Sequence, residues 1–183
     1  MTNYRPITDI WILARPKLKD GKKYYGAYPA GFLQRARDLL GCGIHDPVLH
    51  VCGGMARHYP YAGFGPNDRT LDLDPKTEPD YYQDVTEPWP VTCMSVSLRG
   101  VIADPPYSDE EAAHYAPGKA KYPRPSQILA RAAECLKPGC RVGILHYLWV
   151  KPVPGLRPVA VICVLVGCNN RARLFSVFER EAS

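Results

Sequence analysis

Apolar residues recur along this chain in two rhythms. In "PAGFLQRARDLL", residues 29 to 40, Phe32, Leu33, Ala36, Leu39 and Leu40 fall at helical spacing, with Pro29 ahead and Gly41 behind as start and stop signals. "SQILARAAECL", 126 to 136, repeats that rhythm and is closed by Lys137, Pro138 and Gly139. The second rhythm is short and continuous: "PVLHV" (47 to 51), "TLDLD" (70 to 74), "YYQDV" (81 to 85) and "GVIAD" (100 to 104). Each run is bounded by Gly, Pro or an acid, as buried parallel strands are. "RVGILHYL" adds a strand after the second helix, and two long β runs about "GCNNR" near the C-terminus predict an antiparallel hairpin.

These elements predict an α/β, Rossmann-like, mainly parallel sheet with a C-terminal antiparallel hairpin at its edge. A length of 183 residues suits a single domain. We read residues 1 to 28 as an N-terminal arm carrying an apolar patch, "DIWILA", and residues 29 to 183 as the core. Residues 55 to 69 hold Pro and Gly and residues 86 to 99 hold two prolines, which leaves room only for short helices.

Composition narrows the class. Apolar residues at 46% against 22% charged exclude long disorder. The formal charge of +5 points to an anionic partner, although an ordinary basic surface gives the same number. Seven cysteines form an odd set without a CxxC pair, and "MTNYRPITDI" lacks the regions of a signal peptide, so a reduced, cytoplasmic protein is expected. The longest apolar run, "VAVICVLVG", is about half of a membrane-spanning helix and reads as a core strand, with no membrane partner. Cys135 and Cys140, like Cys163 and Cys168, have spacing that permits a zinc pair, but they bracket a helix end and a strand end and read as free thiols. The five histidines are dispersed and no metal is expected; His50 and His146 fall inside apolar strands.

In an open α/β sheet, ligands bind beyond the carboxyl ends of the strands, so the residues closing each strand carry the functional signal. Here the endings are "HVCGG", "DLDP", "QDV" and "DPPY", in that order. Gly53 and Gly54 allow close backbone approach to a ligand; an acid about twenty residues on, Asp72, can accept from ribose hydroxyls; a third acidic ending, Asp84, suits an adenine amino group. Each also has a structural reading: a glycine pair as a turn, Asp72 and Asp74 as turn residues, Asp84 as a helix cap, and "DPPY" as a tight turn capped by Asp104 with Tyr107 packed on it.

"VIADPPYS" after a strand resembles the class I methyltransferases that use S-adenosylmethionine, specifically the amino-methyltransferases with a DPPY motif typified by DNA adenine-N6 methyltransferases. The likeness covers roughly residues 24 to 180. "VLHVCGG" stands at the cofactor loop, "TLDLDP" at the ribose-binding strand end, "QDVTEPWP" at the adenine-binding segment, and "YYGAYPAGFLQRA" resembles an element that contacts the cofactor's methionine part. The resemblance thus implies a cofactor site of Tyr28, Pro29, His50, Cys52, Gly53, Gly54, Asp72, Asp84 and Val85. The chain departs from the usual loop by carrying His50, Cys52, Met55 and Arg57. The span between Asp104 and Arg141 is also short beside the target-recognition regions of DNA methyltransferases.

The chemistry accounts for the motif. An exocyclic amine is a poor nucleophile because its lone pair is delocalised into the ring. Asp104 and the Pro105 carbonyl can accept its two hydrogen bonds, Pro105 and Pro106 stiffen that backbone, and Tyr107 offers a flat face to a base drawn out of its stack. Rate gain then comes from positioning and electrostatics. In the following segment, "SDEEAAHYAPGKAKYPRPS", Tyr115 and Tyr122 among Lys119, Lys121 and Arg124 suit a nucleic-acid strand, and a lid or a solvated loop has the same composition. The expectation is methyl transfer to adenine N6, with DNA favoured over RNA as partner; a homodimer is compatible with so small a catalytic domain. The rivals are an RNA base methyltransferase, a protein-amide methyltransferase, against which Asp104 counts because that motif begins with Asn, and a non-catalytic nucleic-acid-binding protein on the same fold.

Overall fold

The computed structural model describes residues 5–15, 28–59, 61–90, 97–115, 122–167 and 171–182. Eight strands form one sheet: β1 (Ile7–Leu13), β2 (Val48–Val51), β3 (Arg69–Asp72), β4 (Tyr81–Tyr82), β5 (Gly100–Ala103), β6 (Arg141–His146), β7 (Leu156–Val166) and β8 (Ala172–Arg180). Their spatial order is β1-β7-β8-β6-β5-β2-β3-β4. All neighbouring pairs are parallel except those that β8 makes with β6 and β7, so β8 alone runs against the rest.

The expected mainly parallel α/β sheet is present, with two differences. The hairpin does not form the edge, because β8 inserts between β6 and β7 and β7 is covered in turn by β1. The stretch read as an N-terminal arm supplies that edge strand, paired with β7 from Ile7↔Ala160 to Leu13↔Val166. Its "IWIL" alternation, with Trp11 and Leu13 buried and Ile10 and Ile12 exposed, is a strand signal with one solvated face. "YYQDV" yields only the two-residue β4, since Asp84 turns the chain by accepting from Thr86.

Three α-helices are described: α1 (Phe32–Leu40), α2 (Asp109–Tyr115) and α3 (Pro125–Cys135). Helix α1 ends where Gly41 turns left-handed at φ 68°, its N–H and that of Cys42 bonding back to Asp38 and Arg37 carbonyls. It packs Phe32, Leu33, Ala36 and Leu40 against Ile162, Val164, Phe175 and Val177 on one face of the sheet. Helix α3 covers the other with Ile128, Leu129 and Ala132 against Val101, Val142 and Ile144. Each buried Leu, Ile, Val or Phe among these contributes roughly 1.5–3 kcal/mol. Among the described residues no helix is long and apolar enough to cross a membrane.

Beneath α1 lies a buried charge cluster. Arg37 Nη1 donates to both Asp68 oxygens at 2.9 Å, and Asp68 also accepts from the Val48 and Gly65 N–H groups and meets His50 Nε2 at 3.0 Å. Burial pushes the Asp68 carboxyl up, but the hydrogen bonds from His50, Gly65 and Arg37 outweigh it and hold the group below its usual range.

Candidate functional site

Strand β2 has β3 on one side and β5 on the other, so chain order reverses there, and its carboxyl end is the switch point at which open α/β sheets take ligands. Register sets what stands there. Val51 pairs with Leu71 across one ladder and with Ala103 across the other. The next residues, Cys52, Asp72 and Asp104, therefore stand at one level on three adjacent strand ends. Backbone bonds continue the ladder: Cys52 N–H donates to Leu71 O at 2.9 Å and Asp104 N–H to Val51 O at 3.1 Å.

Cys52 turns out of β2 at φ 52°, left-handed for a residue with a Cβ, and Gly54 follows at φ 50°. Gly53 between them is required by space, since a Cβ there would sit 2.8 Å from that of His50. The turn aims the Gly54 N–H at Asp72 Oδ2, 3.0 Å away, while Asp72 Oδ1 accepts from Asp74 N–H at 3.0 Å. Both carboxylate oxygens are thus fixed, each with a lone pair remaining. Burial raises the Asp72 pKa, and burial followed by the charges of Asp72, Asp104 and Asp84 holds the Cys52 thiol well above its ordinary value. Cys52 is accordingly a neutral thiol, not a nucleophilic thiolate.

Asp104 leaves β5 with its side chain 7% exposed. Burial lifts its pKa to about 6, against the opposing pull of Arg173 and a hydrogen bond from Tyr107. The Tyr107 hydroxyl donates to Asp104 Oδ1 and accepts from Arg173 Nη1 at 3.2 Å. Its ring meets His146 edge-on at 5.4 Å and Tyr147 at 4.3 Å, so the aromatic face expected to lie open is part of a packed cluster. Pro105 is buried and Pro106 half-buried. Beyond the motif the chain enters α2, where Glu111 N–H donates to Ser108 Oγ and the Glu111 carboxylate accepts from Tyr107 N–H at 2.9 Å. This reciprocal cap, with Asp109 and Glu110 in the first turn, explains "SDEE" and fixes the backbone after Tyr107.

The remaining expected site residues divide. Tyr28 is 1% exposed, stacked on Phe32 at 5.3 Å, and its hydroxyl has no hydrogen-bond partner among the described residues. Burial first, then the charges of Asp104, Cys52 and Asp72, raise its pKa, which puts this neutral donor beside the strand ends. Pro29 is buried and its carbonyl starts α1 by accepting from Phe32 N–H. Asp84 Oδ1 accepts from Thr86 N–H and Oγ1, which closes a turn and is not a helix cap, since no helix follows it among the described residues, and buried Val85 gives its carbonyl to Trp89 Nε1. His50 is fully buried in the Asp68 cluster and stacked on Phe64, so it serves the core. Arg57 pairs with Asp80. Tyr115 ends α2, Tyr122 meets His146 Nε2 at 2.9 Å, and exposed Arg124 precedes α3 with its N–H on Gln127 Oε1. Lys119, Lys121 and Cys168 lie outside the described residues. Among those described, no group of three or more His, Cys, Asp or Glu side chains is placed to hold a metal.

Two participants were not legible beforehand. Arg173 sits on β8, far from the motif in sequence, and Tyr147 follows β6; each reaches Tyr107 only because β6 and β8 are neighbours.

An open, mainly parallel sheet with its acids gathered at the switch point is a Rossmann-like architecture. Solved structures narrow the class: the fold is that of the α/β methyltransferases. TrmN from Thermus thermophilus is similar with a TM-score of 0.59 and 18% identity over 84% of this chain and 49% of that one, so this chain spans about half of TrmN's length. An rRNA methylase from Streptococcus thermophilus gives 0.53 and 11%, over 85% of this chain and 100% of the other. The N-methyltransferase NodS from Bradyrhizobium japonicum, in complex with S-adenosyl-L-homocysteine, gives 0.52 and 11%, over 81% and 85%. No protein-family model matches the chain, and no curated protein does.

Proposed function

We propose that this chain transfers a methyl group from S-adenosylmethionine to an exocyclic amino nitrogen of a nucleobase, adenine N6 in DNA being the acceptor that the DPPY run suits. The observation that carries the reading is the level alignment of Asp72 and Asp104 on either side of Cys52, which supports taking one as the donor side and the other as the acceptor side of a single site.

The cofactor fits the residues present. Asp72 and Asp104 stand level with Cys52 on the neighbouring strand ends, the charge of Asp84 also bears on it, and carboxylates there suit a molecule bearing a sulfonium cation. The buried Tyr28 hydroxyl, without a partner among the described residues, has a proton to give to a ligand acceptor. Asp72, pinned by Gly54 and Asp74, would take a vicinal diol with its remaining lone pairs, and Asp84 Oδ2 an amine. When bound, S-adenosylmethionine supplies an electrophilic methyl carbon.

The chain's own residues handle the amine. Ionised Asp104 accepts one of its N–H groups and the Pro105 carbonyl the other, which orients the nitrogen lone pair. Arg173 opposes protonation of Asp104, and neutral Tyr107 holds the carboxylate until the amine shares it. No covalent intermediate on the protein is needed.

An RNA base is the second reading, favoured by the fold likeness, over its whole length, to an rRNA methylase from Streptococcus thermophilus. The test is incubation with methyl-labelled S-adenosylmethionine and DNA, RNA and protein acceptors in parallel. Label on N6-methyladenine, lost in Asp104→Ala with cofactor affinity retained, supports the proposal; label on protein alone, or none on any acceptor, overturns it.

A further inference from the structure

The carboxyl end of β6 carries a feature that methyl transfer at Asp104 does not use. The chain turns sharply after His146, whose Nδ1 accepts the Leu148 N–H at 3.1 Å while Nε2 faces the Tyr122 hydroxyl at 2.9 Å. With Nδ1 accepting, Nε2 bears the proton, so one neutral imidazole fixes both the turn and Tyr122. The turn leaves Leu148 69% and Trp149 49% exposed, although Val150 next to them is buried. Trp11 and Trp89, the other two tryptophans, are 6% and 3% exposed. Trp149 is thus the one indole that forgoes burial, while the other two secure it.

The surroundings identify what the patch accommodates. Tyr147 touches the Tyr107 ring, and its hydroxyl accepts from Arg171 Nη1 at 3.0 Å with that guanidinium 5.8 Å from the Tyr147 ring centre. Arg173 lies on the inner side, on Tyr107, and exposed Lys151 lies beyond Trp149. Asp104, Tyr107 and Tyr147 are thus in successive contact, and the exposed Leu148, Trp149 and Lys151 follow Tyr147 closely along the chain. Flat rings among cations match an unpaired polynucleotide, whose bases stack and whose phosphates need positive charge. A purely apolar partner gives the cations no role, and an intact duplex has no open base face to offer the indole.

We infer that the turn at Tyr147, Leu148 and Trp149 is a platform for an unpaired nucleic-acid strand, with Trp149 stacking on a base beside the target and Arg171 and Lys151 meeting its phosphates. The inference rests on the proposed function for what enters at Asp104, and it extends that reading to the neighbouring nucleotide and to strandedness.

Trp149 is the exposed tryptophan, so intrinsic emission reports on it. The full chain is titrated with short single-stranded DNA and RNA of one sequence, the DNA duplex, and a single strand that is abasic beside the target. The base-bearing single strands are expected to quench the emission, and the stronger of the DNA and RNA responses identifies the sugar. Read by the anisotropy of a dye-labelled strand, which does not depend on the indole, Trp149→Ala should weaken single-strand binding about tenfold, with Trp149→Phe recovering most of it, and the abasic strand should bind wild type about as weakly as the intact strand binds Trp149→Ala. Unchanged affinity in Trp149→Ala, equal binding of abasic and intact strands, preference for the duplex, or no binding of single strands overturns the platform. Quenching with no methyl transfer to any strand leaves the platform standing and counts against the Asp104 chemistry alone.

Discussion

The Arg173 guanidinium on β8 lies 3.9 Å from the Asp104 carboxylate at the end of β5, and it donates to the same Tyr107 hydroxyl that donates to Asp104. The groups facing Asp104 are Arg173 from β8, Tyr107 from its own loop, Glu111 from α2, Tyr28 ahead of α1 and Cys52 after β2. Of these, Arg173 is the cation, so it opposes the burial that would otherwise keep Asp104 protonated.

Methyl transfer should therefore rise as pH passes through about 6, where Asp104 loses its proton and becomes an acceptor. Arg173→Met should move that midpoint upward by about one pH unit, because removing an opposite charge favours the protonated acid. Initial rates against pH for the two proteins check this. An unmoved midpoint would assign Arg173 to packing.

The same acid has an opposite effect on folding. Its folded pKa lies above the unfolded value, so the native state binds extra proton between about pH 4 and 6 and Asp104 costs stability as pH rises through that window. Above it, the ionised group costs about 3 kcal/mol. Asp104→Asn should accordingly raise the melting midpoint at pH 8, lose that advantage at pH 4, and abolish transfer at both. Thermal melts at the two values decide it.

Asp72→Asn keeps the shape of the β3 end but removes the charge that fixes the Gly54 and Asp74 N–H groups. Cofactor affinity by calorimetry should fall about 10- to 100-fold, as loss of a charge-assisted bond implies, with the fold intact by circular dichroism. Unchanged affinity would remove Asp72 from the donor side.

Asp68→Ala leaves the buried Arg37 charge with only the Gly43 and Asp46 carbonyls as acceptors and also strips acceptors from His50, Val48 and Gly65. Unfolding free energy in urea should drop by about 3–5 kcal/mol. A loss under 1 kcal/mol would show that the cluster is dispensable.

Much of the site was legible because parallel strands in register bring chain order into spatial order. Short apolar runs that each close on Gly or Asp, read one after another, put Gly53, Asp72 and Asp104 at neighbouring strand ends. His50 misled for a local reason: it alternates within an apolar strand beside the glycine pair, and nothing near it in sequence points to Asp68, its buried partner. Tyr107 was legible as part of the motif, but its hydroxyl's two partners were not, since one of them arrives on β8.

The amino-acid sequence by itself determined the element types, the mainly parallel sheet and the acids at its switch point, because periodicity and strand-end chemistry are local properties of the chain. Tertiary structure alone decided that β8 runs antiparallel between β6 and β7, that "DIWIL" joins the sheet as β1, and that Arg173 and Tyr147 converge on Tyr107. Which strands pair is settled by burying apolar faces across long sequence separations. A cation that tunes a carboxylate from another strand leaves no spacing in the sequence by which to find it.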